Sequence, residues 1–174
     1  MIDNFFQIKS LEAWLDPAEG CILSREHAFV ALNVKPSAFG HSLVIPVRSD
    51  VYRETDMTPE QLWDFAAAKE EAFDVLCDRI FRDPGFFVDL YRRWTVDPKL
   101  QGLGCAPNIE VVLRDLEQGT LDGSGHVFEN KGKRAGQMVR QYHRQVVPRF
   151  PDDSVIKGGC QAFYHHLHPE IKRY

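Results

Sequence analysis

Long apolar runs are missing from this sequence. No stretch approaches the roughly 20 apolar residues that a membrane-crossing helix needs, so no membrane partner is expected. Cysteine is scarce and scattered: Cys21, Cys77, Cys105 and Cys160 form no C-x-x-C pair, which argues against a zinc knuckle or a disulfide framework. An excess of positive charge is absent as well. Lys and Arg number 21 against 25 Asp and Glu, a net charge of −4, so nothing favours nucleic acid as a partner. The start, Met1-Ile2-Asp3-Asn4-Phe5-Phe6, has no basic region leading into an apolar core; no secretory leader is expected, and the thiols are expected to stay reduced in the cytoplasm. Internal repeats and low-complexity tracts are lacking too. What is present is a 44% hydrophobic fraction over 174 residues, enough for a single domain with a packed core.

Two periods divide the chain. Residues 21–24 and 28–34 read as strands around a polar turn at Arg25-Glu26-His27, and Ser42 to Val47 reads as a buried third strand after the turn at Pro36 to Gly40. The spacing then becomes helical. Thr58 as N-cap, Pro59 in the first turn and Gln61 closing a capping box predict a helix over about 59–82, with Leu62, Phe65, Ala66, Phe73, Leu76 and Ile80 on its apolar face. Segment 83–123 reads as an insertion: a short amphipathic helix near 85–94, a loop, and a strand or helix at 109–117. Phe86, Phe87, Tyr91 and Trp94 there are expected to form a lid or core contacts rather than a stacking surface for a base. After a turn at Gly119 to Gly125, residues 127–130 read as a strand, 131–136 as a basic loop, and 137–147 as a last strand ended by Pro148. Strands in one block and a long helix in another make the expected class α+β, an antiparallel sheet of about five strands with one long helix and an inserted segment. Residues 150–174 form a tail. Its His165, His166 and His168, with Cys160 nearby, lack the carboxylates or further thiols that would complete a metal site.

The chemistry concentrates in the last strand. Side chains alternate along a strand, so Gln137, Val139, Gln141, His143, Gln145 and Val147 would share one face, and Met138, Arg140, Tyr142, Arg144 and Val146 the other. One face then carries three neutral amides around a single imidazole, a pattern suited to an anionic ligand. Arg140 would point away from it, and Arg144 would face solvent or meet a carboxylate, one from 83–123 being a candidate.

Gly136-Gln137, His143, Val146-Val147 and Pro148-Arg149 resemble the His-x-His-x-His block of the histidine-triad (HIT) superfamily. The run from Phe29 to Pro36, the run from Gly40 to Pro46, and the loop Asn130, Gly132, Gly136-Gln137 resemble that superfamily too, most of all its Fhit-like branch of dinucleoside polyphosphate hydrolases. The triad itself diverges to Gln141-x-His143-x-Gln145. The resemblance implies a nucleotide-binding hydrolase that cleaves a phosphoanhydride at the α-phosphate through a nucleotidyl-histidine on His143. In it, the Gln141 carbonyl would orient the imidazole and Gln145 would hydrogen-bond the phosphate without supplying a proton. Asn33 would bind ribose, His41, Asn130 and Gln137 would lie on the phosphate, and Phe5, Ile8 and Leu32 would wall the base. A homodimer is also implied. The nucleophilic step requires no metal and leaves room for Mg²⁺ carried by a polyphosphate substrate. The alternatives are a nucleotidyltransferase or phosphorylase, to which Gln at the third triad position points, and a nucleotide-binding module without turnover, to which the loss of two histidines points.

Overall fold

The computed structural model describes residues 2–116, 125–131 and 137–148. Its strands are β1 (Cys21–Ser24), β2 (Ala28–Leu32), β3 (Ser42–Pro46), β4 (Gly125–Phe128) and β5 (Arg144–Pro148), joined antiparallel in the order β1-β2-β3-β5-β4. Its helices are α1 (Leu11–Leu15), α2 (Pro59–Arg82), α3 (Pro84–Val96), α4 (Pro98–Gly102) and α5 (Ala106–Leu116). The class is α+β, as the sequence blocks predict.

The register decides which side of the sheet carries chemistry. Ala31 faces Leu43, Leu43 faces Gln145 and Gln145 faces Phe128, so these four side chains form a row on one face. Trp14 of α1 packs on that face against Phe29, at 6.4 Å between ring centroids. Gly125 belongs to the opposite face and lies against Phe73 of α2. The sheet thus separates a side covered by α2 from a side bearing the candidate site, and every residue of β2 and β3 is buried.

Helix α2 forms where its signals place it. The Thr58 side chain accepts from Gln61 N, the Gln61 side chain answers to the Thr58 backbone, and Pro59 opens the first turn. Phe65, Ala68, Ala72, Leu76 and Ile80 recur every three or four residues and are buried. The helix ends at Asp83, whose carboxylate then caps α3 by accepting from Phe86 N.

The described part of the inserted segment carries three helices, α3 to α5, and residues 109–116 are helical, within α5. Phe87, Leu90, Tyr91, Trp94, Leu100, Ile109 and Val112 are buried in the same cluster as the sheet residues. Phe39 sits between Phe87 and Tyr91, at 5.9 and 5.6 Å between centroids, and the Tyr91 hydroxyl accepts from Gly40 N. The aromatic residues of the insertion are therefore core contacts. They brace the turn before β3.

The last strand departs from the expectation. It spans Arg144–Pro148 rather than 137–147. The backbone ahead of it is paired elsewhere: Ile2 N donates to Met138 O, Arg140 N to Ile2 O, Gln141 N to Asp3 O and Tyr142 N to Val51 O. Only Val139 makes a bridge, a parallel one to Ile2. Partners from the N-terminal segment break the pleat, so the simple alternation along 137–143 fails. β4 also begins earlier than expected, at Gly125, and stops at Phe128, which frees Glu129 and Asn130 for side-chain work. The turn 119–124, the loop 132–136 and the tail 149–174, with its three histidines and Cys160, lie outside the described residues.

Candidate active site

His143 stands one residue ahead of β5, where the chain leaves its pairing with the N-terminal segment and enters the sheet. Its Nδ1 lies 2.8 Å from the Gln141 carbonyl oxygen. A carbonyl only accepts, so Nδ1 carries the hydrogen and the Nε2 lone pair is the free one. The ring meets the Phe5 ring edge-on, at 5.0 Å and 88°. Burial holds its pKa below the ordinary histidine value, against the opposing pull of the Gln141 carbonyl and the Glu129 charge. The imidazole is thereby kept neutral and aimed.

Gln141 earns its position differently from the reading of three amides on one face. Its side chain is fully buried and does not line the cavity beside His143. Oε1 accepts from Phe5 N at 3.1 Å, and Nε2 donates to the carbonyls of Pro46 (2.8 Å) and Arg48 (3.2 Å). One carboxamide so ties the N-terminal segment, the end of β3 and the His143 loop together, while its backbone carbonyl orients the imidazole.

His41 and Gln145 form a second fixed pair. The Ser37 backbone N–H and hydroxyl both reach His41 Nδ1 at 3.0 Å. A backbone N–H can only donate, so Nδ1 is the acceptor and Nε2 bears the hydrogen. Nε2 lies 2.5 Å from Gln145 Oε1 and donates to it. The Gln145 amide group is then the half turned toward the cavity, a donor set by its neighbour's tautomer. Burial lowers the His41 pKa to about 4, the Gln145 hydrogen bond opposing and the nearby His143 adding to the effect. Neither histidine is charged at neutral pH.

A cavity of about 270 Å³ opens in front of these groups. Phe5, Ile8, Trp14 and Leu43 give it apolar walls; Asn33, Lys35, Ser37 and Asn130 give it polar ones. The structure brings Asn33, His41, Asn130, His143 and Gln145 together in this one cavity. It places Gln137 instead in a separate, more open surface depression with Tyr52, Glu129 and Arg140, and Leu32 in the core. Arg140 lies outside the cavity, paired with Asp3 at 3.3 Å. Arg144 meets the carboxylates of Glu54 and Glu129, at 3.5 and 3.4 Å, and not one from the insertion. Among the described residues, no group of three or more His, Cys, Asp or Glu is arranged to hold a metal ion, and no helix is long and apolar enough to cross a membrane.

Sequence reasoning missed Lys35, Ser37, Cys105 and Asn108, which also line the cavity. Lys35 and Ser37 had a signal, since they sit within the Asn33-to-His41 turn already singled out. Cys105 and Asn108 had none, being far off in sequence.

A sheet that delivers a buried, oriented histidine to the floor of a cavity, with a long helix on its reverse face, defines an α+β protein of a known kind. The chain belongs to the HIT domain family, whose profile matches residues 18–152. Among solved structures it is similar to the NitFhit protein of C. elegans, at 22% identity, 87% of this chain, 27% of the other and a TM-score of 0.46. This chain thus spans about a quarter of that protein's length. It is also similar to a Hit-like protein involved in cell-cycle regulation from Bartonella henselae (15% identity, 87% and 84% coverage, TM-score 0.49) and to the Plasmodium falciparum diadenosine triphosphate hydrolase (18%, 90% and 78%, TM-score 0.42). No curated protein matches it.

Proposed function

We propose that this protein is a nucleotidyl hydrolase of the Fhit-like type, cleaving a phosphoanhydride at the α-phosphate of a dinucleoside polyphosphate or similar nucleotide. The observation that carries the reading is the His143 Nδ1 to Gln141 carbonyl bond, which leaves one ring nitrogen with a directed lone pair at the cavity. In the first step Nε2 forms a bond to phosphorus while the bridging P–O bond breaks, its electron pair leaving with the departing phosphate. In the second, a water oxygen bonds phosphorus, the N–P electrons return to Nε2, and the water proton passes to solvent. The Gln141 carbonyl supports the positive charge that the ring carries between the steps.

The Gln145 amide donates to the phosphate but has no proton to give the leaving group. That selects leaving groups already stable as anions, such as polyphosphates, over amines, for which a missing general acid costs about 10²–10⁴-fold. A cavity of about 270 Å³ lies near the lower end for ligand pockets, so one nucleotide unit fills it and the remainder of the substrate lies outside. No protein metal enters these steps; Mg²⁺ would arrive with the polyphosphate.

The test is intact-protein mass spectrometry after mixing with diadenosine polyphosphates, comparing wild type with His143→Ala. An adenylyl adduct or turnover that disappears in the variant supports the reading; nucleotide binding without adduct or turnover in wild type defeats it and leaves a binding module. The fixed Gln145 amide favours one second reading, transfer to a phosphate acceptor instead of water, which added inorganic phosphate would reveal by a nucleoside diphosphate product.

A further inference from the structure

The cavity is not walled by the sheet and N-terminal segment alone. The α4–α5 connection and the first turn of α5 contribute Leu103, Cys105 and Asn108. These residues are held firmly. Asn108 Nδ2 donates to the Pro36 carbonyl at 3.2 Å, Ile109 N donates to Cys105 O, and Tyr91 ties α3 to the same turn through Gly40 N.

Two carboxamides consequently flank the turn at residues 34–37, and their free halves differ. Asn33 Oδ1 accepts from Lys35 N at 2.9 Å, which leaves its Nδ2 as a donor; that nitrogen lies 3.3 Å from His41 Nε2, but the His41 hydrogen faces Gln145, so the two do not bond. Asn108 Nδ2 gives one of its two hydrogens to Pro36, which fixes the carboxamide and leaves Oδ1 as an acceptor. A donor and an acceptor lining one cavity complement a group that both accepts and donates. Phosphate oxygens only accept and would leave Asn108 Oδ1 without a donor. Apolar ring carbons would gain nothing. A hydroxyl does both, and a pair of adjacent hydroxyls does so twice.

We propose that Asn108, brought to the cavity by the inserted helices, is a specificity-determining residue that accepts a hydrogen bond from a sugar hydroxyl of the bound nucleotide. The inference rests on the function proposed above only in taking the ligand to be a nucleotide, and holds whether or not His143 turns it over.

Calorimetric titration of the full chain, wild type and Asn108→Ala, with adenosine monophosphate, its 2′,3′-dideoxy analogue and inorganic phosphate tests it. Wild type should prefer the ribonucleotide. The variant should lose about fivefold to tenfold in affinity for it while keeping its affinity for the dideoxy analogue and for phosphate, as removal of one buried hydrogen bond predicts. Phosphate binding also shows that the variant's site is intact. Equal weakening of all three ligands, unchanged affinity for the ribonucleotide, or no hydroxyl preference in wild type overturns the inference. Hydroxyl preference that depends on Asn108, with neither adduct on His143 nor turnover of diadenosine polyphosphates, defeats the hydrolase reading and leaves this one standing; no binding of the monophosphate by wild type overturns this inference, while adduct or turnover decides the hydrolase reading separately.

Discussion

A backbone N–H can only donate, and at Ser37 that fact decides which half of the Gln145 carboxamide is left for the cavity. It fixes the His41 tautomer, which fixes the orientation of the Gln145 amide. Replacing Gln145 with Glu keeps the acceptor for His41 but turns a carboxylate toward the phosphate of the proposed nucleotide substrate. The expected result is a loss of about 10²–10³-fold in kcat/KM with the fold intact, the scale of removing one preorganised donor to a developing anion. Gln145→His supplies a titratable group instead; a new alkaline limb should appear in the pH–rate profile, and amine leaving groups should gain most. If both variants match wild type, Gln145 does not touch the phosphate. Stability should report the same pair. His41 has its folded pKa lowered to about 4 by burial, below the ordinary 6.5. Between those values the unfolded chain binds a proton that the folded one does not, so stability is full above about pH 6.5 and falls as the pH drops toward 4, by on the order of 3 kcal/mol. Burial of His143 adds in the same direction. Urea unfolding at pH 7 and pH 4.5 should show this fall, and His41→Gln, which cannot titrate, should show a smaller one. An equal fall in both proteins would mean that His41 is not buried neutral.

The elements show which sequence signals carry far and which do not. Helix α2 is legible to its ends, Pro59 and Arg82, because its cap, its proline and its apolar spacing are all local. Strand β5 is legible only from Arg144 onward, because the donors and acceptors of 138–142 pair with Ile2, Asp3 and Val51, far away in sequence. Among the candidate residues, His143, Gln145, Asn33, His41 and Asn130 stood in local motifs and meet in the cavity, while Gln141, read as part of a ligand-facing row, turns inward to tie three segments. Asn108 was invisible, since nothing near it in the chain announces that α5 returns to the turn at Pro36. That turn provides the test at this scale. Gly40 has φ +76°, and a Cβ there would lie 2.5 Å from Ile80 Cδ1 of α2. Gly40→Ala should cost about 1–3 kcal/mol from backbone strain, with the clash in addition, and should disturb His41 next to it. Adding Ile80→Ala removes the clash but not the strain, so the double variant should be more stable than the sum of the two single effects allows, by a coupling read from urea unfolding. Strict additivity would show that α2 and the turn do not press on one another.

Across the whole molecule, the question is whether the inserted helices are an appendage or part of one cooperative unit. Their buried residues Phe87, Leu90, Tyr91 and Trp94 belong to the same cluster as Phe29, Leu32 and Trp14, and Leu90 packs where a side chain at Gly20 would fall. The cavity depends on both parts, since Asn33 and His41 come from the sheet side and Asn108 from the insertion. If the insertion opened alone, it would expose Phe39, which is fully buried against Phe87 and Tyr91, and release the Gly40 turn. That cost couples the two parts, and one unfolding transition is the expectation. The tryptophans report it separately: Trp94 lies in the insertion, Trp14 beneath the sheet, and Trp63 is 75% exposed. With Trp63 replaced by Phe in both, one variant carrying Trp14→Phe leaves Trp94 as the sole indole, and one carrying Trp94→Phe leaves Trp14. Within each variant, the fluorescence transition should coincide with loss of far-ultraviolet circular dichroism. A Trp94 signal that changes at lower denaturant than the dichroism would show an insertion that detaches first, and would make the Asn108 wall a movable part of the cavity rather than a fixed one.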